Sequence, residues 1–264
     1  MGALDLFAEP QDLWLNNNRA WLLRARDRWA PRHVEPLTLR MWLGAPITWD
    51  GYDGIRVEGA LQYAVVVHET GRMPDDVFHG CPRDLSAVDE DIQVPIWDEE
   101  HCGFRIACAS WAQPSPGAIE TLRFRRKRAR IDVMPGNGKL LISGGNFKSL
   151  NQPIPTLTAL YVDFHMRADR ERLSELLGHD AMVLGRWRSA GLGQVVGSEI
   201  LDDPEDRSLT HRGVPMRTIP VKDSEDARRF SPSYDLRPAT TRAPYWHTRS
   251  RTLCAVPMVR LGES

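Results

Sequence analysis

Glycine and arginine are concentrated in one stretch of the sequence, LGRWRSAGLGQVVG, at residues 184–197. Its glycines and the residues between them that could contact a ligand are Gly185, Arg186, Trp187, Arg188, Gly191, Gly193 and Gly197. Glycine lets the backbone of a ligand approach closely, and arginine donates charge-assisted hydrogen bonds to phosphate. The composition of this stretch therefore indicates a phosphate-binding loop or a tight turn.

The spacing of the glycines does not match a nucleotide-binding motif. Gly185 and Gly191 are one residue too far apart for a P-loop, and Leu192 stands where that motif has lysine. For a dinucleotide fingerprint the third glycine, Gly197, comes one residue late, and the expected helix precedes the glycines instead of following them. We expect no nucleotide cofactor. Two interpretations stay open: a helix-to-strand turn that requires positive φ, or a backbone-lined anion site completed by Arg186 and Arg188.

A strongly basic run, RFRRKRAR, occupies residues 123–130, although the chain as a whole has a net charge of −1. Its basic residues are Arg123, Arg125, Arg126, Lys127, Arg128 and Arg130. Such a run can follow a nucleic-acid backbone, because each neutralised phosphate releases counterions. It can equally be the solvated face of a hairpin, or the partner of the acidic run at residues 84–100, which has seven acids and no base.

Two further groups of residues suit nucleic-acid binding. SGGNFKSL, residues 143–150, offers Lys148 to phosphate and Asn146 as an amide donor, with Phe147 between them. Trp42, Tyr161 and His165 are expected on the outward side of two strands. There they could stack on bases or pack against another layer of the protein.

Catalytic and metal-binding patterns are weak. The sequence has no G-x-S-x-G, H-E-x-x-H or C-x-x-C motif. A zinc site built from His79, Cys81, His101 and Cys102 would need adjacent ligands at 101 and 102, which fits tetrahedral geometry poorly. His68 could act as a general base on RNA, but a histidine packed on a helix face is the commoner case. We predict a noncatalytic protein without metal or cofactor.

Composition is that of an ordinary globular protein, with 42% hydrophobic and 26% charged residues. No apolar run is long enough for a membrane span, and the N-terminus does not resemble a signal peptide. The four cysteines lack the regular spacing of a disulfide framework. These features predict a cytoplasmic protein that does not contact a membrane.

Hydrophobic periodicity predicts the elements that would position these residues. Asn18 is expected to cap a helix that buries Leu22, Ala25 and Trp29. A strand at 158–166 is expected to bury Leu160 together with Val162, Phe164 and Met166. The other predicted strands are at 37–43, with Leu37, Leu39 and Met41 on one side, and at 93–97, 104–109, 119–126, 139–142 and 194–200. Helices are predicted at 58–70, with Leu61, Ala64 and Val65 on one face, and at 169–178, with Asp169 as the N-cap.

This order of elements predicts an α+β protein with a ferredoxin-like, or RRM-like, β-α-β-β-α-β core and inserted hairpins. We expect three regions. Residues 1–34 would form an N-terminal helical arm, residues 35–200 the core, and residues 201–264 a C-terminal extension that wraps around it.

With these residues in place, the chain resembles the RAMP superfamily of CRISPR proteins. GRWRSAGLGQV is similar to the glycine-rich loop of that family, and residues 39–66 are similar to its opening strand and helix. GGNFKSLNQPIPTL, RAPYWH and CAVP resemble the type IV counterpart of the Cascade subunit that binds the 5′ handle of the guide RNA.

The resemblance implies a RAMP core and an RNA-binding subunit of a CRISPR effector ribonucleoprotein in antiviral defence. That subunit would grip the 5′ handle of the CRISPR RNA, cap the backbone filament and contact the backbone and large subunits, with target DNA touched at most indirectly. Two alternatives are a RAMP-type endoribonuclease that processes precursor CRISPR RNA with His68, and a protein whose charged surfaces bind only other proteins.

Overall fold

The structure, a computed structural model, describes residues 10–49, 54–73, 77, 92–126, 150–178, 182–186, 190–230, 234–241 and 251–258. Within these residues the protein has a mixed α+β fold built from several small antiparallel sheets and the helices that pack on them. The α+β class predicted from the sequence is confirmed. The predicted strand at 139–142 lies outside the described residues.

The helices and strands follow one another along the chain in an irregular order. The helices are α1 (Pro10–Trp29), α2 (Glu58–Thr70) and α3 (Arg170–Leu177). The strands of the first half are β1 (Glu35–Leu43), β2 (Ile47–Thr48), β3 (Asp98–His101), β4 (Phe104–Ala107), β5 (Gln113–Pro114) and β6 (Ala118–Arg126). Those of the second half are β7 (Leu150–Thr158), β8 (Tyr161–Ala168), β9 (Val195–Asp202), β10 (Thr210–His211), β11 (Val214–Pro215), β12 (Ile219–Pro220), β13 (Tyr234–Thr240) and β14 (Arg251–Pro257).

A four-stranded sheet with the order β5-β8-β1-β9 forms the centre of the described structure. β1 pairs antiparallel with β8 on one side and with β9 on the other. Leu37, Leu39 and Met41 alternate along β1 and are fully buried on one face of this sheet. The predicted strand at 37–43 and the side that it buries are confirmed.

The main core lies between that buried face and the helices. Leu61, Ala64 and Val65 of α2 share a hydrophobic cluster with the sheet, as the helical spacing predicts. α2 ends at Gly71, whose φ of 65° is left-handed and whose N–H donates to the Val67 carbonyl over 2.8 Å. The predicted helix at 58–70 is confirmed.

The third helix begins as its sequence predicts. The Asp169 carboxylate accepts a hydrogen bond from the backbone N–H of Arg172 at 3.2 Å, the arrangement of an N-cap. It also accepts from the backbone N–H groups of Arg32 and His33, at 2.9 and 3.1 Å. Asp169 therefore joins the start of α3 to the segment that follows α1.

Two side-chain predictions are wrong. Asn18 is not a helix cap, because α1 already begins at Pro10, a residue that suits the first turn of a helix; within the helix Asn18 accepts a hydrogen bond from Trp21 Nε1 at 2.8 Å. Leu160 is not buried but 71% exposed. It lies in the turn between β7 and β8, so the strand alternation that would bury it begins only at Tyr161.

The strands of the middle segment are shorter than predicted at two places. Residues 93–97 form no strand, although Ile96 makes a single bridge with Ala168. β4 ends at Ala107 and not at residue 109, and Ala109 makes a bridge with Met166. The prediction at 119–126 is confirmed by β6, which pairs with β7 over its whole length.

Candidate functional site

The glycine stretch forms a loop between α3 and β9, and backbone hydrogen bonds close it. Val183 and Gln194 form an isolated antiparallel bridge across its base. The Leu184 N–H donates to the Gly193 carbonyl at 2.8 Å, and the Gly193 N–H donates to the Pro46 carbonyl at 2.8 Å. The loop is therefore attached to the segment that connects β1 with β2.

The three glycines of the loop all have left-handed φ angles but serve different purposes. φ is 75° at Gly185, 80° at Gly191 and 74° at Gly193. A Cβ at Gly193 would lie 1.8 Å from the Leu184 carbonyl oxygen, and one at Gly185 would lie 3.0 Å from Thr48 Oγ1. A Cβ at Gly191 would have no atom within 4 Å in the described part of the chain, apart from its neighbours in sequence. Close packing thus explains Gly193 and Gly185, whereas Gly191 borders open space.

Thr48 connects the glycine loop to a second sheet. Its Oγ1 accepts a hydrogen bond from the Arg186 N–H at 3.0 Å, and the Arg186 side chain is exposed. Thr48 is the last residue of β2, which belongs to the three-stranded sheet β2-β7-β6. Trp187 and Arg188, predicted for the same site, lie outside the described residues.

The basic run begins on the outer strand of this second sheet. Thr48 pairs with Thr156 of β7, which pairs with Glu120 of β6. Arg123, which is exposed, comes three residues later on β6. Two strand spacings across and three residues along place its backbone about 14 Å from that of Thr48. Arg186 and Arg123 therefore lie in the same part of the protein.

Much of the remaining predicted basic surface is not described. Arg125 and Arg126 are described by their backbone in β6 alone. Arg126 pairs directly with Leu150 of β7, so residues 127–149 connect the two strands at this pair. The predicted site residues Lys127, Arg128, Arg130, Asn146, Phe147 and Lys148 belong to that segment and lie outside the described residues.

One end of the outward face of the main sheet carries an aromatic and charged cluster. Trp42 of β1 pairs with Tyr161 of β8, and their ring centroids are 5.2 Å apart in an edge-to-face arrangement. The Arg40 guanidinium lies 3.9 Å from the Tyr161 ring centroid. Arg40 Nε and Nη2 donate to the two Asp163 carboxylate oxygens, both at 2.8 Å. This hydrogen bonding outweighs desolvation and raises the pKa of Arg40 further above its usual range.

The other end of the same face is buried, which decides between the two environments expected for His165. His165 is 6% exposed, because its ring contacts the Thr38 hydroxyl at 2.8 Å and the buried Asp203 carboxylate at 3.5 Å. Burial and the positive charge of Arg207 lower the pKa of His165, although Asp203 opposes the shift. His165 is therefore not available to stack on a base, whereas Trp42 is 39% exposed.

Those residues considered for catalysis and for zinc that the structure describes, His68, His101 and Cys102, form no site with one another. The His68 side chain is 12% exposed; its ring is edge-on to Trp29 at 5.0 Å and its Nδ1 is 3.5 Å from Glu69 Oε1. His68 thus packs where α1 meets α2. Within the described part of the chain no three His, Cys, Asp or Glu residues are placed to hold a metal ion, and His79 and Cys81 lie outside it.

Sequence reasoning missed two contributors to this region, Pro46 and Thr48, and the position of a third residue, Gly197, relative to Trp42. The first two contact the glycine loop through hydrogen bonds across more than 130 positions, which no local pattern reveals. Gly197 lies directly opposite Trp42 in β9. The register of β1 with β9 places it there, and alternation along each strand taken separately could not do so.

No protein-family model and no curated protein matches this chain. In the described residues no helix is both long and apolar enough to cross a membrane.

Proposed function

We propose that this protein is a noncatalytic RNA-binding subunit of a type IV-like CRISPR ribonucleoprotein, in which it grips the 5′ handle of the guide RNA and caps the backbone filament. Phosphates would lie along the glycine loop, held by Arg186 and Arg188, and would continue toward the basic hairpin of β6 and β7. The resemblance of the sequence to the RAMP superfamily supplies the biological setting.

The observation that carries the proposal is the position of Gly191. This residue adopts a left-handed conformation at the surface of the loop, and among the described residues no atom beyond its chain neighbours lies within 4 Å of where its side chain would begin. Exposed Arg186 is in the same loop. An open stretch of backbone beside an arginine suits a phosphate chain, because N–H groups and guanidinium can both donate to its oxygens.

The arrangement of the main sheet supports a ferredoxin-like core of the RAMP kind. β1, α2, β5, β8, α3 and β9 follow the order β-α-β-β-α-β, and the strand order β9-β1-β8-β5 places the first and third strands at the centre. In that framework the glycine loop connects the last helix to the last strand. This is the position that the resemblance implies for an RNA-contacting loop.

Removing both arginines of the loop tests the proposal. In Arg186→Ala/Arg188→Ala the affinity for guide RNA should fall. The slope of log K against log salt should become shallower by about 1.4, since each phosphate contact with a single strand contributes about 0.7. Binding is measured by fluorescence anisotropy across a salt series.

The matched control is Arg228→Ala/Arg229→Ala, which removes the same charge from two exposed arginines in the C-terminal region. This control should retain the wild-type salt slope. Equal losses in the two double variants would mean that only net charge matters. RNA retention unchanged in the loop variant would contradict the proposed phosphate site.

A further inference from the structure

Trp42 is presented at the surface of the main sheet in a fixed orientation. It is 39% exposed, although its strand is one of the two central strands of the sheet and its inward neighbour Met41 is fully buried. Tyr161 meets it edge-to-face, and the Arg40 guanidinium in turn lies over Tyr161. Two hydrogen bonds to Asp163 hold that guanidinium. Each member of the row limits the rotamers of the next, so the indole is preorganised.

β9, the strand next to β1, places no side chain directly opposite Trp42. The residue directly opposite on β9 is Gly197, and a Cβ there would lie 3.8 Å from Trp42 Cδ1, in ordinary contact. Gly197 does not have a positive φ, so its backbone does not require glycine. What glycine provides at this position is an unobstructed side of the indole ring.

The charges around Trp42 favour an aromatic ligand over a phosphate at this position. The Arg40 guanidinium donates hydrogen bonds to Asp163 on β8, and Glu199 is directly opposite Arg40 in the register of β1 with β9. Two carboxylates near one arginine leave no net positive charge to attract an anion. The exposed group of this cluster is an aromatic face, whose partner of choice in nucleic-acid recognition is an unpaired base.

We propose that Trp42 is a stacking platform for one unpaired base of the bound RNA, with Tyr161 and Arg40 as positioning residues and Gly197 as the opening beside it. The inference rests on the proposed RNA-binding function. That function describes contacts with phosphates, and the inference adds a contact with one base. The platform is continuous with the glycine loop, because the Gly44 N–H, two residues after Trp42, donates to the Gln194 carbonyl at 2.9 Å. A strand of RNA on the loop would pass the indole.

The test uses the full-length chain and a labelled single-stranded RNA of about 12 nucleotides. Trp42→Ala should weaken binding by about 5- to 150-fold, the equivalent of about 1–3 kcal/mol for one stacked base. Trp42→Phe should lose less, because it keeps an aromatic face. Gly197→Ile should also weaken binding, since its side chain would occupy the flank while the tryptophan is retained.

Trp97→Ala is the matched control, because Trp97 is exposed to nearly the same degree, 41%, but lies elsewhere, in the segment that precedes β3. It should bind RNA as the wild type does. The ratio of the Trp42→Ala and wild-type Kd values should also stay constant between about 50 and 200 mM salt, since stacking releases no counterions. Thermal unfolding of each variant confirms that it is folded.

An RNA series with a single abasic position identifies the stacked base. The wild type should lose affinity at one position, and Trp42→Ala should show no further loss there. If Trp42→Ala binds within twofold of the wild type while Arg186→Ala/Arg188→Ala is impaired, the platform is wrong and the proposed function stands. If Trp97→Ala weakens binding equally, the platform is also wrong. If the wild type binds no RNA, both are wrong.

Discussion

Individual residues of the glycine loop divide into those that the fold requires and those that it leaves unexplained. A Cβ at Gly193 would lie 1.8 Å from the Leu184 carbonyl oxygen, so no side chain fits there. Gly191 has the same left-handed φ, and a Cβ there would contact none of the described residues beyond its chain neighbours. The distinction matters for function, because packing within the protein explains the glycine at 193 but not the glycine at 191, which a bound ligand could require. It also makes the two glycines separable by experiment.

Alanine substitutions at these two positions should differ in stability. Gly191→Ala should cost about 1–2 kcal/mol, the penalty of a left-handed alanine. Gly193→Ala should cost about 1–3 kcal/mol more, because the clash with Leu184 forces the backbone to move. The free energies of unfolding come from urea titrations. Equal losses of unfolding free energy at both positions would contradict the clash, because they would show that the backbone moves to accommodate a Cβ at Gly193 at no energetic cost.

At the scale of elements, the hairpin of β6 and β7 is a self-contained support for the basic run. Its register is set by nine consecutive pairs from Ala118↔Thr158 to Arg126↔Leu150. The last pair of the register, Arg126↔Leu150, brings the two ends of the connecting segment together. The length of that segment therefore need not affect the pairing of the strands. The base of the hairpin is held by β2, whose Thr48 also holds the glycine loop.

Shortening this connection should separate RNA binding from folding. Replacing residues 127–149 with Asn-Gly, the sequence of a tight hairpin turn, should leave the thermal midpoint near that of the wild type. The change removes the five basic residues Lys127, Arg128, Arg130, Lys139 and Lys148, so RNA affinity and its salt slope should both fall.

A full-length variant with those five residues changed to glutamine serves as the control and should lose affinity to a similar extent. Wild-type affinity in both variants would contradict a role for the basic run in RNA binding. A loss in the shortened chain alone would assign the effect to the connection and not to its charge.

For the whole molecule, the parts that sequence could predict are those whose signal is local. Leu37, Leu39 and Met41 alternate, Leu61 and Val65 recur at helical spacing, and Asp169 precedes a helix; each prediction is confirmed. The wrong predictions concern Leu160 and Asn18, whose environments are set by a turn and by an earlier helix start. At His165, contact with the distant Asp203 decides between the two environments that the sequence left open. The contact of the glycine loop with Thr48 belongs to the same class, because it depends on tertiary packing.

A buried ion pair joins the C-terminal region to the core. Arg217, 1% exposed, donates to Glu58 Oε1 in the first turn of α2 at 2.9 Å and to the Ala109 carbonyl at 3.0 Å. It also donates to the carbonyls of Ala107 and Thr241. One side chain therefore connects α2, the segment after β4 and the end of β13.

Breaking this pair should destabilise the whole protein. Arg217→Met should lower the free energy of unfolding by about 3–5 kcal/mol, because it leaves the Glu58 carboxylate buried without its cation. Adding Glu58→Gln removes that charge, so the double variant should be more stable than Arg217→Met alone. Urea unfolding of the two single variants and the double variant measures the coupling; strictly additive costs would contradict it.

The position of Arg217 also has a consequence for biosynthesis. Glu58 is made early, yet its partner is 159 residues further along the chain. While the ribosome is still translating the intervening strands, the first turn of α2 holds a carboxylate that it cannot bury without cost. The nascent chain therefore completes its core only after residues 217–241 have emerged, and a product released before that point would be a substrate for chaperones and proteases.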